Sequence, residues 1–189
     1  VLLACVTLVA SACAPTPPSS ASPAASYLFV WAGDGVGTAS DFLDVIDASP
    51  ASPAYGAIVA SVETGEAGTH PHHTEHEMPA SGHLLANGFA AGRTWLFDLT
   101  TPLAPRVLTS FGALAGFSHP HTYVRLDNGH VLATFQYAEG AAASADHGTH
   151  AGAPPTAPGR PGITPAPPRT GGPAEMDERG AVIRTPRAS

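Results

Sequence analysis

Residues 69–89 read THPHHTEHEMPASGHLLANGF, and residues 119–135 return to the same material as HPHTYVRLDNGHVLATF. His70-Pro71-His72 matches His119-Pro120-His121 at an offset of 49, and Gly82 to Ala86 matches Gly129 to Ala133 at an offset of 47. Phe97-Asp98 resembles Ile46-Asp47 and Met176-Asp177, each closing an apolar run before a turn. A unit of four short strands recurring at this spacing is the mark of β-propeller blades. One blade cannot bury its own faces and must stack on its neighbours around an axis. A two-layer β-sandwich is the competing architecture.

Working outward from the repeat, the chain from Tyr27 onward divides into short segments rich in β-branched and aromatic residues. They are YLFVWAG, DFLDVIDASP, YGAIVASV, THPHHTEHEMP, GHLLANGF, RTWLFDLTTP, PRVLTSFG, HPHTYVRLDN, GHVLATFQY, PAEMDERG and AVIRTP. Each stops at Gly, Pro, Asp or Asn, and none sustains a 3.6-residue apolar period, so the expected fold is all-β. Blades are expected to begin near Tyr27, Thr69 and His119, the first without a clear first strand. A closed propeller needs about four to eight blades. Residues 27–189 are therefore expected to be part of a propeller whose later blades are absent. Residues 138–173, dominated by Pro, Gly and Ala, read as a disordered insertion within the third blade, with His147 and His150 as solvated loop residues.

Composition narrows the function. The 189 residues include 20 Gly and 20 Pro and carry a net charge of -7 with only eight Lys plus Arg, all of them Arg. No basic surface large enough to neutralise phosphates is available, which excludes a nucleic-acid partner. The first 26 residues, VLLACVTLVASACAPTPPSSASPAAS, have the layout of a signal peptide (residues 1–12) lacking its start, followed by a Pro/Ser/Ala linker (residues 13–26). The apolar run is too short to span a bilayer. The ASAC of residues 10–13 resembles an imperfect lipobox and makes Cys13 the candidate lipidation site. Ordinary signal-peptide cleavage after Ala12 is the alternative. Either route exports the domain, to the periplasm or the cell surface, with membrane contact only through the lipid. Both cysteines, Cys5 and Cys13, lie in this segment, so thiol catalysis and thiolate metal sites are excluded from the folded part.

The histidines carry the remaining signal. On a regular strand, residues two apart share a face, so His70, His72 and His76 are expected to point one way and Pro71, His73, Glu75 and Glu77 the other. His119, His121 and Tyr123 should share a face in the next blade. Equivalent inner-strand positions converge on a propeller axis, which brings the two histidine groups together. Several neutral imidazoles facing one another suit copper, zinc, nickel or iron. His72, His73 and His121 are the first candidates for ligands, followed by His70, His76 and His119, for which pinning a blade junction is the competing role. Glu75 and Glu77 are candidates for carboxylates that orient the rings from behind. His83 and His130, each after a Gly, read as turn or strand-edge residues.

The stretch DFLDVIDASPASPAYGAIVASV, the histidine pair in HPHHTEHE and the following SGHLLANGFAAGRTWLFDLTTPLAPRVLTSF together resemble the selenium-binding protein family, which includes methanethiol oxidase. The resemblance runs from about Tyr27 to Gln136 and resumes at Glu175. It implies a propeller of about seven blades, a copper ion held in part by His72, His73 and His121, and oxidation of a small thiol, methanethiol with oxygen giving formaldehyde, hydrogen sulfide and hydrogen peroxide. Two departures bear on that. Gly56 stands where the eukaryotic selenium-binding members carry a cysteine, so selenium capture through that thiol does not transfer. TEHEM follows the histidine pair in place of Ser-Gly-Trp-Asn. No catalytic residue is assigned beyond the metal ligands. A non-catalytic exported propeller that binds metal or a protein partner is the alternative function.

Overall fold

The computed structural model describes residues 25–140 and 170–185. The signal-peptide segment, Cys5, Cys13, nearly all of the linker, and His147 and His150 lie outside the described residues. The described residues form eleven strands and no helix: β1 Tyr27–Ala32, β2 Ser40–Asp47, β3 Ile58–Ala67, β4 Pro71–Thr74, β5 His83–Gly88, β6 Arg93–Asp98, β7 Arg106–Phe111, β8 Phe117–Arg125, β9 Val131–Ala138, β10 Thr170–Met176 and β11 Val182–Arg184. They pair as three antiparallel sheets in the orders β1-β2-β3, β4-β5-β6-β7 and β8-β9-β10-β11. Each sheet is thus a meander, with consecutive strands side by side.

The repeat read from the sequence corresponds to the second and third sheets. The first sheet matches their last three strands. Asp47 at the end of β2, Asp98 at the end of β6 and Asp177 just after β10 each accept a hydrogen bond from the amide two residues on, at 2.8, 3.0 and 2.9 Å. These are Asx turns, in which a short carboxylate stands in for a backbone acceptor and ends the strand. Among the described residues the first sheet therefore has no counterpart of β4 and β8.

Burial shows how the sheets stack. β5 and β6 are buried on both faces over Leu84–Gly88 and Thr94–Asp98, whereas β2 and β9 alternate between buried and more exposed positions. The middle sheet is sandwiched. Its Leu84, Ala86, Trp95 and Phe97 pack against Leu43 and Val45 of the first sheet. Its Leu85 and Leu96 pack against Tyr123, Val131, Ala133, Phe135, Ala174 and Met176 of the third. Trp31 lies 5.6 Å from both Trp95 and Phe97. Complete burial of a side chain such as Phe97 contributes roughly 2–3 kcal/mol.

Three expectations need correction. The strand expected over residues 69–79 shortens to Pro71–Thr74, after which the Glu75 amide makes a last bond to the Leu85 carbonyl at 3.2 Å and the Glu75 side chain is buried. The two-residue alternation of the histidines fails, because both histidine strands are bulged. Pro71 pairs with Gly88 and Thr74 with Ala86, so His72 and His73 together oppose Asn87 alone. Pro120 pairs with Phe135 and Thr122 with Thr134, leaving His121 as the extra residue. The boundaries 138–173 are also too wide. Ala138 pairs with Phe117, and β10 begins at Thr170 opposite Tyr137. The Gly-Gly within RTGGP is strand, not linker: a Cβ at Gly171 would overlap the Phe135 carbonyl, and one at Gly172 would lie 2.6 Å from the Phe117 ring. The residues between, 141–169, are outside the described ones.

Candidate metal centre

β4 and β8 are the first strands of the second and third sheets and lie beside one another as edges. The two bulges re-aim their histidines into the seam between them, a common use of a bulge beside a site. His72, His73 and His121 each offer a ring nitrogen, and these three atoms lie within 4.8 Å of one another. The ring centroids are 4.1 Å apart for His72 and His73, 4.5 Å for His73 and His121, and 5.0 Å for His72 and His121. His72 is exposed, and His73 and His121 are half-buried. The cluster is open to solvent on one side.

What holds these rings is mostly backbone. Asn87, fully buried on β5, accepts the His73 amide at Oδ1 (2.6 Å) and donates from Nδ2 to the Pro120 carbonyl (2.5 Å). Its own carbonyl takes the Trp31 indole N–H at 2.8 Å. Phe89 lies under the seam, its centroid 5.5 Å from His72 and 6.0 Å from His121. The Thr122 hydroxyl is 3.1 Å from His121 Nδ1, a contact that can fix the ring tautomer.

The donor set fits a transition-metal ion. Three imidazoles are neutral nitrogen donors of the kind copper, zinc and nickel accept. Two nitrogens bound to one ion at about 2.0–2.1 Å lie no more than about 4.2 Å apart, a closure that small side-chain rotations accommodate.

The other candidates fall outside this group. His70 is exposed and its centroid is 5.8 Å from that of His72. His119 is half-buried against Phe89 and Tyr137, with centroids at 5.5 and 5.1 Å, and burial lowers its pKa below the usual imidazole value. His76 and Glu77 lie beyond the end of β4 and, with Met78 and Val124, line a separate cleft of about 490 Å³.

Glu75 does not stand behind the histidines. Its side chain, 4% exposed, is paired with Arg125 at 3.0 Å and accepts the Leu85 amide at 3.0 Å. Arg125 continues to Glu178 at 3.1 Å and to the His83 carbonyl at 3.2 Å, and His83 Nδ1 is 2.9 Å from Glu178. This network ties the second sheet to the third. His130 contacts Glu175 at 2.7 Å within the third sheet.

Asn87, Phe89 and Arg125 were missed by the sequence reading. Asn87 had a signal, as the one polar side chain inside the apolar run LLANGF. Phe89 and Arg125 had none, since their partners are distant in the chain.

No protein-family model matches the chain, and no curated protein matches it in sequence. In three dimensions it is similar to the X-ray structure of a hypothetical selenium-binding protein from Sulfolobus tokodaii, with a TM-score of 0.57 and 17% sequence identity. The match covers 85% of this chain and 33% of that one, so the chain spans about a third of that protein's length. At this identity the likeness is one of fold.

Proposed function

We propose that the chain is part of a β-propeller of the selenium-binding protein and methanethiol oxidase kind, and that His72, His73 and His121 bind a transition-metal ion, copper in preference. The three meanders, their recurring Asx turns and the fold similarity support the propeller. The observation that carries the metal site is the convergence of three histidine nitrogens within 4.8 Å on two bulged neighbouring strands. Copper is preferred because it binds nitrogen sites most tightly among the divalent first-row ions.

A copper ion there would supply one-electron redox chemistry toward oxygen and a small thiol, the reaction being methanethiol, oxygen and water to formaldehyde, hydrogen sulfide and hydrogen peroxide. The chain's own residues would divide the remaining work. His73 and His121 anchor from the half-buried side, His72 faces the open side where a ligand enters, and Phe89 presents an apolar floor. Export, and tethering through Cys13, belong to the same proposal. They are tested by whether Cys13→Ser releases the full-length precursor from the membrane fraction.

The test of the site is copper titration of the full-length protein as wild type, His72→Ala, His121→Ala and His83→Ala. Wild type and the His83 variant should retain copper, while the other two lose it. Equal retention in all four would refute the site. Affinity should weaken as pH falls, because protons compete with the metal ion for the imidazole nitrogens. Thiol-dependent oxygen uptake by the copper-loaded protein then separates the oxidase from a propeller that only binds metal.

A further inference from the structure

We propose that Asn87 is the positioning residue of the histidine cluster, its buried side-chain amide clamping the two bulges that carry His73 and His121 so that the three imidazoles are arranged before a metal ion arrives. This rests on the metal-binding reading above.

A bulge carries a cost in backbone pairing. An extra residue interrupts the pairing ladder, so the local backbone needs partners from elsewhere. At both histidine bulges the partner is the same side chain. Asn87 Oδ1 accepts the amide of His73 itself, and Asn87 Nδ2 donates to the carbonyl of Pro120, with His121 O at a longer 3.5 Å. The two bonds require an acceptor and a donor on one short planar group, which an asparagine amide provides and a carboxylate does not. Asn87 is completely buried, so neither bond can be replaced cheaply by water.

Its position is fixed in turn. The main-chain pairing of Asn87 with Thr94 across β5 and β6 does not depend on the Thr94 side chain, and the Asn87 carbonyl is held by the Trp31 indole N–H. Next to it Gly88 admits the close approach of Thr69 and Trp95, since a Cβ there would lie 2.6 Å from Thr69 Oγ1 and 2.8 Å from the Trp95 ring. The clamp therefore stands on one of the two most buried strands among the described residues. It reaches the rings only through backbone, so it orients ligands without coordinating.

The test uses the full-length protein and three variants. Asn87→Asp keeps the acceptor for His73 and places a second acceptor against the Pro120 carbonyl. Asn87→Ser removes the reach to one or both bulges with less electrostatic conflict. Thr94→Val, which breaks the buried 2.7 Å bond between Thr94 and the Tyr123 hydroxyl, is the control for general loosening of the same two sheets. Copper affinity is measured by competition well below the melting temperature, and the Cu(II) electron paramagnetic resonance spectrum is recorded for each.

Loss of an outer-shell partner typically weakens metal binding about 10–100-fold. That loss is expected for Asn87→Asp and Asn87→Ser, with a broadened or shifted Cu(II) signal. Thr94→Val should melt earlier yet keep wild-type affinity and spectrum. Wild-type affinity and spectrum in a folded Asn87 variant would overturn the inference while leaving the site intact. Absence of copper binding by wild type would instead refute the site itself, and the inference with it. Hydrogen exchange of the His73 amide in the metal-free wild type is independent of any variant's folding. It should be slow, and exchange as fast as in an open loop would overturn the clamp.

Discussion

His70 and His119 occupy equivalent places in successive sheets and share a left-handed backbone, with φ of 59° and 57°. Both precede a proline, a position ordinarily pushed toward extended backbone. Few non-glycine residues adopt this conformation, and it persists only where the surroundings enforce it. Here the Phe89 amide donates to the His70 carbonyl at 2.8 Å, and His119 is packed on Phe89. The kink directly precedes each bulge, so strained residue, proline and bulged histidine form one repeated device for turning a strand edge toward the seam.

Because His70 is exposed and lies outside the three-nitrogen group, relieving its backbone should not harm the fold. The left-handed conformation costs a non-glycine residue roughly 1–2 kcal/mol, and glycine's extra freedom when unfolded takes back roughly 0.5–1 kcal/mol. His70→Gly is therefore expected to gain about 0.5 kcal/mol in urea denaturation with copper affinity unchanged. A loss of stability, or of copper, would mean that the His70 ring is in use.

The Arg125 network gives a larger effect. Removing Arg125 leaves the Glu75 carboxylate inside the protein with only the Leu85 amide for company. Breaking one side of such a buried pair costs about 3 kcal/mol. Arg125→Met should show that loss in chemical denaturation. The double variant Arg125→Met with Glu75→Gln should recover part of it, since the uncompensated charge is gone. Additive losses would show that the two side chains are not coupled.

These residues also mark the limits of what was legible in the sequence. Strand positions could be read because apolar runs and turn residues are local signals, and the repeat brings His70 and His72 toward His119 and His121, whereas strand alternation alone sets His73 on the opposite face. The face each histidine takes could not be read, because a bulge inverts the alternation and leaves no mark in residue type. Glu75 looked like a partner for the histidines only because it is near them in sequence. Its cation comes from β8, and such pairing is decided by how the sheets stack. The Gly-Gly of β10 looked like linker for the same reason, since the Phe117 ring that requires it belongs to another strand.

Acid should unfold the protein through its turn carboxylates. Asp98 is held below the ordinary carboxylate range by the Thr100 hydroxyl and amide and then by Arg106, Asp47 is lowered by Ser52 and Ser49, and Glu175 by His130 and Arg184. A folded-state pKa below the unfolded one contributes stability that is present above the unfolded value and is lost as pH falls through the folded one. The carboxylate contribution should be nearly constant from pH 8 to about 5, and the melting temperature should fall steeply below about 4. Asp98→Asn should melt lower at neutral pH and show a shallower acid fall. An unchanged acid limb would remove Asp98 from the account.

Residues 141–169 can be excised on the geometry of the strands that flank them. Tyr137 and Thr170 are direct partners across β9 and β10, so joining Gly140 to Thr170 leaves Ala138, Glu139 and Gly140 as a three-residue connection. Such hairpins commonly end on a residue in the left-handed region, and Gly140 already has φ of 76°. The Glu139 amide keeps its bond to the Gly116 carbonyl at 2.7 Å, which holds the turn against β8. Each halving of loop length returns about 0.6 kcal/mol of closure entropy, so the shortened protein should melt at or slightly above the wild-type temperature and bind copper as before. A fall of several degrees would show that the excised residues pack on the sheets. Unchanged melting with lost copper would place a ligand among them, and His147 and His150 would be the first to substitute.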